Sequence, residues 1–371
     1  MMNDVTMSYD AILQSLMTET AASHSADTKA KLDLFIRRLE MKEKPGDLLY
    51  YLFATALMKR VEPSEIKPMN LYLRDYGVPQ IKLFNLLAAR FPLIFHASEL
   101  SNSLLSGYIQ HGEAVTLLEV GIGTGRQLVS LIKLLARQGK RPASITLYAI
   151  EPNVSCLEDA RKNVEETAYQ AGIPLLFKPV PVEIERLTPS DWKQFSAHDG
   201  RLLVNATFAM HHIGDFGTSG IHSVKTAVLQ SIRELQPSCI VLCEPDSDHQ
   251  TPDTLQRFTN CWEHFSTLFR LIDSLDLSDE ENRILKIFFG REIEDIIASP
   301  EQARFERHET TNRWIGRLQH AGFTSCPYMR LYASRTFEKM NATSSPWHIG
   351  LGMGSTNLVS VIAAVPDNQP G

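Results

Sequence analysis

Seven residues, Glu-Val-Gly-Ile-Gly-Thr-Gly at 119–125, carry the strongest chemical signal in the chain. An apolar run, VTLLEV, leads into them and an amphipathic run, GRQLVSLIKLLARQG, follows, the strand–loop–helix setting in which a glycine loop receives a ligand. Gly121, Gly123 and Gly125 allow a sharp turn and a close approach of backbone to ligand, where a Cβ would collide. A dinucleotide fingerprint, G-x-G-x-x-G/A, would need a small residue at Arg126. The G-x-G-x-G spacing, with Glu119 at the strand end, points instead to S-adenosylmethionine and away from NAD. Ile122 lies inside the loop and counts among the expected cofactor contacts. Glu151 ends the next apolar run and is followed by the turn residues Pro152 and Asn153. A carboxylate there can accept both ribose hydroxyls. Glu183 or Glu185, near the end of the expected third strand, LLFKPVPVEI, is placed to face the adenine amino group. Asn205 at the end of the fourth strand completes the cofactor set.

Methyl transfer from a sulfonium requires alignment of an acceptor and, for a hydroxyl, removal of a proton. NATFAMHHI, residues 205–213, supplies His211 and His212 for that role, with His211 expected to face the acceptor and His212 to rest against the core. Glu244, ending the fifth strand, is a second candidate acid or base. Phe208, His249, Arg307 and Glu309 are the expected substrate contacts. NATF lacks both prolines of the N-P-P-Y motif of amino-methylating nucleic-acid enzymes. The acids and histidine at Glu244, Asp246, Asp248 and His249 read as caps and loop residues, so no metal site is expected there. Of the five cysteines, Cys239 and Cys243 share one face of an apolar strand and read as buried structural thiols.

The elements that must position these groups follow from periodicity. Residues 11–20, 28–42, 47–61 and 79–90 each space apolar side chains by three and four, predicting helices, with Pro63, Pro68 and Pro79 as punctuation. From Val115 onward short apolar runs alternate with helical ones through Glu244, predicting a parallel sheet with helices on both faces. Residues 251–274 and 279–297 then read as two long helices without a strand between them. Trp262, Phe265, Phe269 and Leu271 are expected to pack between helices. Strand signals return in PYMRLYAS and in a hairpin over 347–365 turning at Gly354. The expected class is α/β: a Rossmann-like methyltransferase core whose parallel sheet ends in an antiparallel pair, plus an α-helical cap. Its parts are 1–100 as the first portion of the cap, 101–249 as the core, 250–300 as the cap insertion and 301–371 as the end of the core.

The chain has 371 residues and a net charge of −6, with 43% hydrophobic and 22% charged residues, an ordinary globular composition. Mild acidity without a long basic run argues against a nucleic-acid grip. No basic-then-apolar leader opens the sequence, and nowhere do about 18 apolar residues run unbroken. A cytoplasmic setting, a small-molecule substrate, and neither nucleic acid nor membrane as partner are therefore expected; a homodimer stays open.

The order of motifs resembles the GRAS family, known mainly as plant regulatory proteins with bacterial relatives. LFNLLAARFPLIFHASELSNSLL resembles the leucine-rich region before the family's VHIID motif, with which VTLLEVGIGTGRQLVSLIKLLARQGKRP aligns. LLVNATFAMHHI is similar to its VNCxFxLHHL segment. The longest match is REIEDIIASPEQARFERHETTNRWIGRLQHAGF, which keeps Arg291, Glu292, Arg307, His308, Glu309, Trp314, Arg317 and Gly322 in register. The resemblance implies a methyltransferase-like core with a helical cap. Typical plant members have lost the glycine loop, so its retention implies a bacterial-type member that still binds the cofactor. Two functions follow: a methyltransferase acting on an oxygen or carboxylate of a small apolar metabolite, or a non-catalytic ligand-binding or interaction module.

Overall fold

The computed structural model describes residues 8–41, 44–62, 87, 90–196, 200–214 and 223–367. The expected helix over 79–90 and its proline punctuation lie almost wholly outside them. Three helices come first: α1 (Tyr9–Ala22), α2 (Ala26–Arg37) and α3 (Asp47–Val61). Next are α4 (Pro92–Tyr108), β1 (Ala114–Val120), α5 (Arg126–Arg137), β2 (Ser144–Ile150), α6 (Val154–Ala171) and β3 (Leu175–Val180). The alternation continues through α7 (Pro189–Ser196), β4 (Arg201–Thr207), α8 (Val224–Glu234) and β5 (Cys239–Pro245). Two long helices, α9 (Thr254–Asp273) and α10 (Asp279–Ala298), interrupt it. α11 (Thr311–His320), β6 (Phe323–Ser325), β7 (Asn341–Ser344), β8 (His348–Met353) and β9 (Thr356–Pro366) complete the order. Helix starts follow side-chain chemistry. Ser8, Ser25, Asn153, Ser223, Asp253 and Thr310 each accept a first-turn N–H, and Ser278 with Glu281 forms a reciprocal capping box.

The chain divides into two compact units, one from Met1–Phe91 with Ser247–His308 and one from Pro92–Asp246 with Glu309–Gly371. The first break falls at Pro92, so α4 belongs with the sheet. In the helical unit α3 lies against α10 closely enough that a Cβ on Gly290 would stand 2.7 Å from Leu52 Cδ2. Trp262 meets Phe53 edge-on at 5.0 Å and Tyr50 at 5.5 Å, so it packs between helices as its spacing suggested. Lys59 pairs with Glu294 at 2.6 Å, and Arg60 donates to the Ile297 carbonyl at the end of α10.

In the other unit nine strands form one mixed sheet in the order β3-β2-β1-β4-β5-β9-β8-β7, with β6 also pairing β9. β1 to β5 are parallel, whereas β9 runs antiparallel to β5, β8 and β6. Six consecutive buried residues in each of β1 and β5 are what a strand covered on both faces requires. Cys239 and Cys243 are free, buried thiols of β5. The antiparallel portion is larger than the expected pair, because β7 at 341–344 adds to the edge of β8 without an apolar pattern: all four of its residues are exposed. PYMRLYAS is not a strand. Pro327 has no N–H to give a ladder and starts a 3-10 helix, Pro327–Tyr332. The third strand also stops earlier than expected, and Glu183 and Glu185 belong to a 3-10 turn, Ile184–Arg186, and its cap.

Candidate functional site

The glycine loop joins β1 to α5, and all three glycines take positive φ: +71° at Gly121, +52° at Gly123 and +78° at Gly125. Their reasons differ. A Cβ on Gly121 would lie 2.6 Å from that of Ala209, and one on Gly125 would lie 2.9 Å from Val164 Cγ2 and 3.1 Å from Ala160 Cα. These two glycines seat the loop against its own fold. Gly123 has open space on that side, so a ligand can approach its backbone there. The Gly123 N–H donates to Glu151 Oε2 at 3.2 Å, and the Asn153 N–H donates to Oε1 at 3.0 Å. Asn153 in turn caps α6 through its side chain, and Pro152 separates it from Glu151. Burial pushes the Glu151 carboxyl above its usual range, against the pull of these two N–H groups. Glu151 thus fixes the loop and still has a second lone pair on each oxygen to offer.

Glu119 and Asn205 point into the core. Asn205 Nδ2 donates to Glu119 Oε1 at 2.7 Å, and Ser101 Oγ donates to Asn205 Oδ1 at 2.7 Å. Gln127 Nε2 extends the chain to Ser101 at 3.1 Å. Burial raises the Glu119 carboxyl to about 8, against the hydrogen bond from Asn205, so at neutral pH the protonated acid predominates. The pair ties β1, β4 and α4 together. Ile122 is buried in the loop.

Beyond β4 the backbone turns through Phe208, held at φ +54° with its N–H on the Cys243 carbonyl at 2.8 Å. A 3-10 turn, Met210–His212, follows. Glu244 at the end of β5 accepts the N–H groups of Ala209, Met210 and His211 at 3.3, 2.9 and 3.3 Å. Its Oε2 also meets His211 Nδ1 at 2.6 Å, and the two imidazole rings lie 3.9 Å apart. His211 is the buried histidine, its imidazole held on the Glu244 carboxylate, and His212 is half-buried.

The remaining expected contacts separate. Glu183 pairs with Arg186 at 2.6 Å on the surface, its side chain 42% exposed, while Glu185 is raised by burial. In the helical unit, buried Arg307 places Nη1 on Glu301 at 2.8 Å and Nε on the Arg304 carbonyl at 3.1 Å. His249 meets His308 through their Nδ1 atoms at 3.0 Å, and burial, with His308 next, holds it well below its ordinary pKa. Glu309 lies in the sheet unit, fully buried between Arg317, at 2.7 and 2.8 Å, and Lys225 at 3.6 Å. Lys225 also lies over the Trp314 ring at 5.2 Å. Lys225, Ser101 and Gln127 were not among the residues singled out in the sequence. A lysine in an amphipathic helix and a serine 104 positions from its asparagine carry no local signal.

The GRAS domain family pattern matches residues 11–344, across both units. The chain belongs to the GRAS domain family. Among curated relatives, the GRAS family protein RAD1 of Lotus japonicus is 28% identical over 215 residues, 57% of this chain and 41% of that protein. Scarecrow-like protein 34 of Arabidopsis thaliana is 24% identical over 329 residues, 84% of this chain and 52% of that one. This GRAS chain spans about half the length of the curated relatives it matches. The crystal structure of SCL7 in Oryza sativa covers 97% of the chain, and the chain covers all of it, at TM-score 0.78 and 19% identity, which establishes a shared fold. A carbon methyltransferase, DszA, aligns over 93% of this chain and 71% of its own at 16% identity and TM-score 0.46. Among the described residues no helix is long and apolar enough to cross a membrane.

Proposed function

We propose that this chain is a regulatory GRAS module that binds S-adenosylmethionine, or its demethylated product, at the loop between β1 and α5. The observation that carries the reading is Gly123: its backbone is turned to φ +52° with open space where a Cβ would be, and its N–H is anchored on Glu151. That cradle fits a nucleoside. Gly121–Gly125 would contact the amino-acid portion, and Glu151 would accept the ribose hydroxyls through its unused lone pairs. The order β3-β2-β1-β4-β5 supports the reading, since the ends of β1, β2 and β4 lie along the carboxyl edge where open parallel sheets take ligands. Membership of a family whose named relatives include a Scarecrow-like transcription factor, PAT1 of Arabidopsis thaliana, favours regulation over turnover.

A second reading, methyl transfer, is favoured by one feature, the His211–Glu244 contact at 2.6 Å beyond β4. The bound cofactor would supply an electrophilic methyl group. The chain's part would be to orient an acceptor and to take a proton on an imidazole whose Nδ1 is held by Glu244. Calorimetry with S-adenosylhomocysteine tests the first reading. Wild type should release heat at a single site. Glu151→Ala should bind at least tenfold more weakly, since hydrogen bonds to a charged group are worth about 1.5–3 kcal/mol each. No heat from the folded chain removes both readings. Transfer of label from methyl-tritiated S-adenosylmethionine to an extract component, lost in Glu244→Gln, would select the second.

A further inference from the structure

The helical unit holds a cluster that the nucleoside reading does not use. Glu292 lies on α10, and Glu306 and His308 lie on the extended segment between α10 and α11. One side-chain ligand atom from each stands within 4.8 Å of the other two. Glu306 and His308 are buried, and the Glu292 side chain is 12% exposed. Asp295 fixes the segment by accepting the N–H groups of Phe305 and Glu306, each at 2.7 Å, and the His308 carbonyl takes the His249 N–H at 3.0 Å.

The hydrogen-bond order around His308 sets where its lone pair points. Ser247 Oγ donates to the Asn260 carbonyl at 3.4 Å and is thereby an acceptor for His249 Nε2 at 2.9 Å. With its proton on Nε2, neutral His249 offers Nδ1 as the acceptor for His308 Nδ1–H at 3.0 Å. The second nitrogen of His308, Nε2, faces Glu306 Oε2 at 3.1 Å and Glu292 Oε2 at 4.0 Å. A neutral imidazole would then aim a lone pair at two carboxylates, and a positive charge belongs between them.

We propose that Glu292, Glu306 and His308 bind one divalent transition-metal ion, through a carboxylate oxygen of each glutamate and Nε2 of the histidine. Ligands about 2.0–2.1 Å from a tetrahedral zinc stand about 3.3 Å from one another, and the 3.1 and 4.0 Å separations bracket that edge. The imidazole nitrogen selects against calcium and magnesium, which take oxygen ligands. Two carboxylates and a dication balance in charge. The Ser247–His249 relay is the outer support that metal-bound histidines use to fix ring orientation. Three protein ligands leave a fourth position for water or an anion.

The test is zinc binding to the full chain after chelation and dialysis, followed by cobalt absorption spectroscopy. Wild type should take up one equivalent of Zn2+, and Co2+ should give the intense visible band of a tetrahedral site. Glu306→Gln and Glu292→Gln should each weaken Zn2+ binding at least tenfold. The second variant alters the least buried ligand, so a native circular-dichroism spectrum is expected there even if the first fails to fold. Absence of saturable binding to wild type, or wild-type affinity in folded Glu292→Gln, would overturn the proposal and leave a proton on His308 as the balancing charge.

Discussion

Replacing Glu119 by Gln should make the protein less sensitive to alkali. The Glu119 carboxyl, which titrates at 4.5 when unperturbed, is pushed up to about 8 chiefly by burial. The folded state therefore holds this proton more tightly than the unfolded chain does. The stability so gained is complete below pH 4.5 and is lost as pH rises through about 8. A shift from 4.5 to about 8, at 1.36 kcal/mol per pKa unit, makes the full loss about 5 kcal/mol, of which about 2 kcal/mol falls between pH 6 and 8. Glutamine preserves the local bonds, because its Oε1 can accept from Asn205 Nδ2 as Glu119 Oε1 does at 2.7 Å, and its amide replaces the acid's O–H. Urea unfolding of both proteins at pH 6, 7 and 8 measures the effect. The stability difference between variant and wild type should move by about 2 kcal/mol in favour of Gln over that interval. Parallel curves would show that Glu119 is already ionised in the native state and that its burial is compensated elsewhere.

Glu309→Ala should destabilise by about 3–5 kcal/mol in a thermal or urea melt, because it removes the buried carboxylate that pairs with Lys225 and Arg317; a loss under 1 kcal/mol would refute that pairing. At the loop, Gly121→Ala and Gly123→Ala both incur about 1–2 kcal/mol for a left-handed Ala, but only the former also drives a methyl into Ala209. Gly121→Ala should therefore unfold at lower urea, and equal midpoints would mean that the Ala209 contact relaxes freely.

Local periodicity made most of the fold legible. The helix over 47–61 and the strand–loop–helix around residues 119–125 come from apolar spacing and glycine, each acting within a few positions. What eluded reading depends on distant partners. β7 is fully exposed and exists because β8 offers it an edge, while Pro327 turned an apparent strand into a 3-10 helix. The site divides in the same way. Gly123 and Glu151 were each legible from the strand and turn residues around them, whereas the hydrogen bond between them joins positions 28 apart. The pairing of His211 with Glu244 spans 33 positions and was visible only as two separate candidates. Arg307 and Glu309 were both expected substrate contacts; one holds its own segment through Glu301, and the other anchors α8 to α11.

The position of β9 has a consequence for synthesis. It is the strand that joins β5 to β8 and also carries β6, yet it is formed from residues 356–366. Asp246, just past β5, receives the side-chain amide of Asn357 across 111 positions. At about 5–20 residues per second a ribosome needs about 6–22 s to cover that distance. Throughout that interval the apolar edge of β5, CIVLC, is without its partner strand. The nascent chain is therefore most exposed to mispairing while α9 and α10 are being made. A premature stop between residues 246 and 355 would release a protein whose parallel strands are all present but whose sheet ends on an open, hydrophobic border.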